Sequence, residues 1–292
     1  MGVSMRITTS YLYSSALRGL RRNQAQLDRA QAELASGRKI IIASDNPTDS
    51  VTATRLASNI EDIAQYQRNG LMASTRLETE GAAMEAVAGL LEQAQDIAKG
   101  ASTLEPDDPG RQAAATAIAE LRLQVISIAN TKVGDEYLFG GTLSGTPPFD
   151  ESGVYQGSSE SRSIEVDEGV YVTTNIPGDP IFTGLIESMS SLNLAISSGD
   201  SGGITRATGG LEAAAQTLER ARTENGLRQT RLDSIATTLA QRAVGLGDRR
   251  DTLLNADPTA AALEAVAAQD ALDRAYAAVA KVLESSILQY LR

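Results

Sequence analysis

The stretch LASGRKIIIASDNPT, Leu34 to Thr48, decides how the chain is divided. It carries helix-stop and helix-start chemistry in succession between two heptad-patterned segments. Gly37 follows the last periodic leucine, where a C-terminal cap belongs. Ile40, Ile41 and Ile42 form a short β-branched run, and Ser44, Asp45, Asn46 and Pro47 supply N-cap oxygens and an N1 proline. The order predicted is helix, extended crossover, helix.

Working outward, the preceding segment repeats at seven through Tyr13, Leu20, Leu27 and Leu34, with Ala16, Leu17 and Ala30 beside it. So thin an apolar stripe leaves a lone helix marginal in water, so this arm needs a partner. After the crossover, Leu56, Ile63, Gly70, Leu77, Met84, Leu91 and Ala98 keep the same spacing, a helix over 48–100 that Gly70 and Gly81 should weaken locally. A turn at Glu105 to Gly110 leads into an antiparallel helix carrying Ile118, Leu121, Val125 and Ile128 and ending near Val133 and Gly134.

Between 135 and 183 the composition changes, with six of the eleven aromatics and four of the eight prolines gathered there. Ser163–Asp167 and Val170–Asn175 flank Glu168 and Gly169 as a hairpin, so 135–183 reads as a small inserted β domain. Helix resumes near Leu185. The strict sevenfold series Ile204, Leu211, Leu218, Asn225, Leu232, Leu239, Leu246 and Leu253 follows, a helix about 80 Å long at 1.5 Å per residue. Asp257 and Pro258 begin a last helix whose seam is Leu272, Tyr276, Val279, Leu283, Ile287 and Tyr290. The layout is nearly a palindrome, and the two ends should meet.

The expected fold is therefore mainly α with a small β insert, a long antiparallel helical bundle or coiled coil formed by the N- and C-terminal halves. Its expected parts are an arm and crossover over 1–44, halves of a helical middle domain over 45–134 and 184–257, the insert over 135–183, and a closing arm over 258–292.

The 292 residues contain no Cys and no His, which removes disulfides, thiolate nucleophiles, imidazole bases and most zinc or haem ligation. Few enzyme classes survive, and no Ser, Lys or Tyr constellation stands out. The net charge of −11 argues against a phosphate-binding surface and hence against nucleic acid. The first 39 residues run the other way, with Arg6, Arg18, Arg21, Arg22, Arg29, Arg38 and Lys39 against Asp28 and Glu33. No run of 18 apolar residues is present to span a membrane, and the N-terminus lacks the apolar core of a cleavable signal. No cofactor, metal or catalytic residue is expected.

Asn225 stands where the seam wants leucine; a buried seam Asn fixes register, whereas a solvated gap beside Gly226 would be the plainer reading. Asp45, Asp49, Asp107 and Asp108 suit caps and turns better than metal ligation. Gly245 and Gly247 begin a dinucleotide-like pattern, but Arg250 occupies the third glycine position and no strand precedes it.

Several segments together resemble the flagellin family. Met5, Arg6, Ile7, Thr8, Thr9 and Ser10 look like its opening, which implies that Met1 to Ser4 are an upstream start or a cloning remnant. Ser36, Gly37 and Arg38, followed by Ser44, Asp45, Asn46 and Pro47, look like its turn motif, in which Asp is usual before the proline and Asn46 is a departure. Tyr137, Leu138, Phe139, Gly140, Gly141, Pro147, Pro148, Phe149, Tyr155 and Gly157 resemble the members that stand between hook and filament, and not filament flagellins. Asn225, Gly226, Arg228 and Arg231 and the closing Ile287 to Arg292 fit the family's C-terminal half.

The resemblance implies a structural adaptor between hook and filament, exported through the flagellar type III apparatus without a cleaved signal. Its implied partners are a ring of like subunits, a hook-side hook-associated protein, flagellin on the filament side, the export apparatus and an export chaperone. The expected assembly seams are Tyr13, Leu17, Leu20, Leu27 and Leu34 on one arm and the Leu272 to Tyr290 series on the other. The alternatives are a filament flagellin and an unrelated secreted coiled-coil binding protein.

Overall fold

The computed structural model describes residues 3–105 and 108–290, with side chains described for 11, 13–105 and 108–281. Six helices follow in order: α1 Val3–Ser36, α2 Pro47–Ser102, α3 Gly110–Ala129, α4 Gly184–Ser198, α5 Ser201–Leu254 and α6 Pro258–Tyr290. Four short strands lie between α3 and α4: β1 Lys132–Val133, β2 Glu136–Tyr137, β3 Ser163–Asp167 and β4 Val170–Thr173. A single π-helical turn, Asp179–Thr183, leads into α4.

By its contacts the chain forms two units, 62–241 and 1–61 with 242–292, so α2 and α5 contribute residues to both. In the first unit the predicted heptads become the core. Leu77, Met84, Leu91 and Ala98 on α2 and Ile204, Leu211, Leu218, Leu232 and Leu239 on α5 are buried. α3 adds Ile118, Leu121 and Val125, and α4 adds Leu185, Met189, Leu192 and Ile196. α2 runs unbroken through Gly70 and Gly81, because packing along 56 residues outweighs a helix penalty of about 1 kcal/mol for each glycine. Gly81 faces Asn225 across the helix pair: a Cβ there would lie 3.5 Å from Asn225 Oδ1, ordinary van der Waals contact.

α3 ends at Ala129, not near Val133. Asn130 is its C-cap, with the backbone leaving helical angles at φ −97° and ψ 24°, and its side chain ties this end to the insert: Oδ1 accepts from Phe149 N and Nδ2 donates to Phe149 O, both at 2.9 Å. The backbone then turns through Gly134, at φ +59°, to pair β1 with β2 antiparallel. β3 and β4 pair as expected across Glu168 and Gly169, with an irregular register between Glu165 and Asp167. β4 stops at Thr173, since the Asn175 side chain accepts from Arg162 N and donates to Gly141 O.

The β insert is present but has no core of its own. Phe139, Phe149 and Phe182 join the helical core, whereas Val166 and Val172 form a second cluster with Ala73, Leu77 and Leu232. Two-stranded hairpins this short bury too little apolar surface to stand alone, so the segment borrows the helices.

Candidate assembly surfaces and the turn that joins them

In the second unit α1 packs on α6, as the palindromic layout requires. Leu27, Ala30, Ile40, Ala53, Ala261 and Leu272 are buried there, and Asn23 Nδ2 donates to Ala271 O at 3.1 Å. The expected seams are only partly covered. Leu27 and Leu272 are buried and Leu17, Leu20 and Val279 half-buried, but Tyr13, Leu34 and Tyr276 are 44%, 45% and 53% exposed. Leu283, Ile287 and Tyr290 lie outside the residues whose side chains are described. Leu263 and Val266 add further exposed apolar area to α6.

The turn motif ties the two arms. Gly37 takes a left-handed φ of +66° and donates its N–H to Glu33 O, closing α1. Ser36 Oγ donates to Ala32 O and accepts from Arg38 N. The crossover is less extended than expected: Arg38 makes one antiparallel bridge to Asn255, and bends and turns follow to Asp45. Its backbone is spent on the α5–α6 junction, through Lys39 N to Leu254 O at 2.8 Å and Ala256 N to Gly37 O at 3.0 Å. Ile40 is buried, while Ile41 and Ile42 are exposed.

Asp45 Oδ2 accepts from Ile42 N and Ile41 N, both at 3.0 Å, and these bonds hold its carboxyl below the ordinary carboxylate range. The cap of α2 is Asn46, not the exposed Ser44: Asn46 Oδ1 accepts from Asp49 N at 3.1 Å and Nδ2 donates to Asp49 Oδ2 at 2.6 Å. Asp108 Oδ1 likewise accepts from Gly110 N at the start of α3, whereas Asp107 lies outside the described residues.

An aspartate at 46 would keep the cap but lose the amide donor and set two carboxylates face to face. Asn46→Asp is expected to cost about 1 kcal/mol at neutral pH and to recover in acid. Urea unfolding at both pH values measures this, and an unchanged midpoint would contradict the geometry.

The β-insert motif is a folding device. Phe139 and Phe149 are buried, Pro148 is buried and Pro147 exposed. Phe139 O accepts from Gly178 N at 2.8 Å, and the Tyr155 hydroxyl lies 3.0 Å from the same oxygen. Gly141, at φ +65°, has no room for a Cβ, which would lie 2.0 Å from Ser158 O.

Where α2 meets the insert, a polar cluster runs from buried Glu80 and mostly buried Arg76 out to the half-exposed Glu136 and Arg162. Arg76 Nη1 donates to Glu136 Oε2 at 3.0 Å and Nη2 lies 3.2 Å from Tyr137 O and from Leu138 O; Arg162 Nη1 donates to Glu136 Oε2 at 2.7 Å. Burial works against the Glu136 carboxylate, yet Arg162 and Arg76 outweigh it and hold its pKa low. Glu80 is fully buried, with Oε1 3.8 Å from Arg76 Nε, too far for a hydrogen bond. Burial pushes its carboxyl up to about 8 against the pull of Arg76.

Asn225 is 2% exposed, so the seam position is filled and not a solvated gap; Gln229 Nε2 donates to its Oδ1 at 2.8 Å. Sequence reasoning missed Glu80, because a glutamate one position from Thr79 in a heptad helix looks solvated. Among the described residues no group of three or more acidic, His or Cys side chains could hold a metal, and no helix is long and apolar enough to cross a membrane.

The model of the bacterial flagellin N-terminal helical region matches residues 7–144. Flagellar hook-associated protein 3 of Escherichia coli K12 is 26% identical over 314 residues, covering 98% of this chain and 99% of that protein. A flagellar hook-associated protein of Vibrio parahaemolyticus superposes with a TM-score of 0.68 at 21% identity, over 72% of this chain and 100% of that one. Bacillus cereus FlgL gives 0.62 at 20% identity, over 68% and 99%.

Proposed function

From a chain whose residues 7–144 match the flagellin N-terminal region, we propose a flagellin-like structural adaptor at the junction between flagellar hook and filament. It is a structural flagellar component and not an enzyme. The observation that carries the reading is the state of the arms: α1 and α6 pack on each other, yet Tyr13, Leu34, Leu263, Val266 and Tyr276 remain exposed. Scattered exposed apolar residues are ordinary, but five along one helix pair match a surface that neighbouring subunits cover. Nearly full-length similarity to hook-associated protein 3 supports the same reading.

The proposal includes a ring of like subunits, a hook-side hook-associated protein and flagellin as neighbours, type III export without a cleaved signal, and an export chaperone. Cells lacking the protein are expected to carry bare hooks and to shed flagellin into the medium; normal filaments on those hooks would sink it.

The arms are proposed to serve assembly while the middle folds alone. A fragment of residues 45–257 is expected to melt cooperatively as a monomer and to fail to restore filaments. Loss of a cooperative transition in the fragment would show that the arms are needed for folding.

A further inference from the structure

Within the unit of residues 62–241, α3 and α4 cover one part of the α2 and α5 pair. Farther along, the β3–β4 hairpin supplies only Val166 and Val172 to the buried cluster beside α2 and α5. A groove opens there. On α2 it is lined by Gln67, Gly70, Leu71 and Ser74, and on α5 by Leu232, Ile235, Ala236 and Leu239. Both sets fall at i, i+3, i+4 and i+7, the four-residue hole that receives one knob from a neighbouring helix.

The cavity measures 170 Å³. That is below the roughly 300–1,000 Å³ of small-molecule sites and suits a single apolar side chain. Its floor is buried Val166, Leu232 and Leu239, while Leu71 on the rim is 71% exposed. Gly70 keeps it open, and a Cβ built there meets nothing within 4 Å.

The rim is acidic. Segments 62–74, 163–173 and 231–241 carry Asp62, Glu165, Asp167, Glu168 and Asp233 against Arg68 and Arg231. Arg68 donates to the neutral Gln65 Oε1, while Glu165 Oε1 and Asp167 Oδ1 accept from the backbone N–H groups of Gly169 and Glu168, so these bonds neutralise none of the three charges and acids outnumber bases five to two. Tyr66, at the mouth, has its phenol raised first by burial and then by Glu165, Asp62, Glu168 and Asp167.

We propose that this groove docks a basic amphipathic helix of another protein, which seats one large apolar side chain between Gly70 and Ala236 and sets Lys or Arg against the acidic rim. The helical spacing on both walls specifies a helix, the volume specifies one knob, and the surplus of carboxylates specifies the charge.

The test uses the full chain and a fluorescent amphipathic peptide of about 20 residues, long enough to be helical when bound, with leucines on one face and lysines flanking them. Fluorescence anisotropy is expected to show binding that weakens as salt rises. The same peptide with glutamate for lysine should not bind. A Cβ at Gly70 meets nothing within 4 Å, so Gly70→Leu is expected to fill the seat and, with its better helix propensity, to fold at least as well, checked by melting, while affinity falls about tenfold or more.

Equal binding of the acidic peptide, or full affinity in Gly70→Leu, would overturn the proposal. So would self-association of the chain that Gly70→Leu abolishes in the absence of peptide binding, since the occupant would then be a second copy.

Discussion

Phe182→Ala is expected to destabilise the unit of residues 62–241 by about 3–5 kcal/mol, the range for deleting a buried aromatic ring. Phe182 is fully buried, edge-on to Phe139 at 4.8 Å and to Phe149 at 6.0 Å between centroids. Aromatic pairs in this geometry contribute beyond the area they bury. The surroundings cannot readily collapse into the hole. Gly178 already packs so tightly that a Cβ there would sit 2.9 Å from a Phe149 ring carbon and 3.0 Å from Phe139 Cβ. Phe139 is also fastened through its carbonyl to Gly178 N.

Since these rings are where the β insert joins the helical core, the loss should reach both. Urea unfolding followed by far-UV circular dichroism and by tyrosine fluorescence should show a lowered midpoint in each signal, with Phe182→Leu milder. A loss under about 1 kcal/mol would mean that the ring cluster does not hold the insert.

Glu80→Gln should stabilise the protein in alkaline solution and leave it almost unchanged in acid. Folded, Glu80 keeps its proton up to about pH 8; the unfolded chain releases it near the ordinary 4.5. A raised carboxyl of this kind contributes stability in full below the unfolded pKa, and that stability is lost as pH rises through 8. Glutamine copies the neutral form at every pH. The difference between variant and parent should therefore be small at pH 4.5 and grow to at most about 5 kcal/mol by pH 9.

Arg76 retains Glu136 as an acceptor in the variant, so the clasp between α2 and the β1–β2 hairpin persists. Groups other than Glu80 titrate in both proteins and cancel in the comparison. Parallel stability curves across this pH range would show that Glu80 is not held neutral by burial.

Much of the architecture was legible in the sequence because helices repeat their contacts. The series at Leu77, Met84 and Leu91 and at Leu211, Leu218 and Leu232 marks one face of each helix, and those faces are buried. The crossover was legible for a local reason: Gly37 can take a positive φ, and Asn46 with Pro47 can start a helix within a few residues of chain. The hairpin at Glu168 and Gly169 belongs to the same class of short-range signal.

What the sequence could not decide were the features made by residues far apart in it. The end of α3 is fastened by an Asn130 side chain that pairs with Phe149, 19 residues away. Whether Asn225 is buried depends on α2 lying against it near Gly81, 144 positions earlier. Glu80 reads as an ordinary helix glutamate until the insert is placed beside it. The groove at Gly70 exists only once α5 and the hairpin form its other walls.

Among the assembly residues, the heptads specified which faces are apolar. Tertiary packing decided which positions are used up within one chain, as at Leu27 and Leu272, and which are left uncovered, as at Leu34 and Tyr276. Periodicity is a property of one helix, and burial is a property of what lies against it.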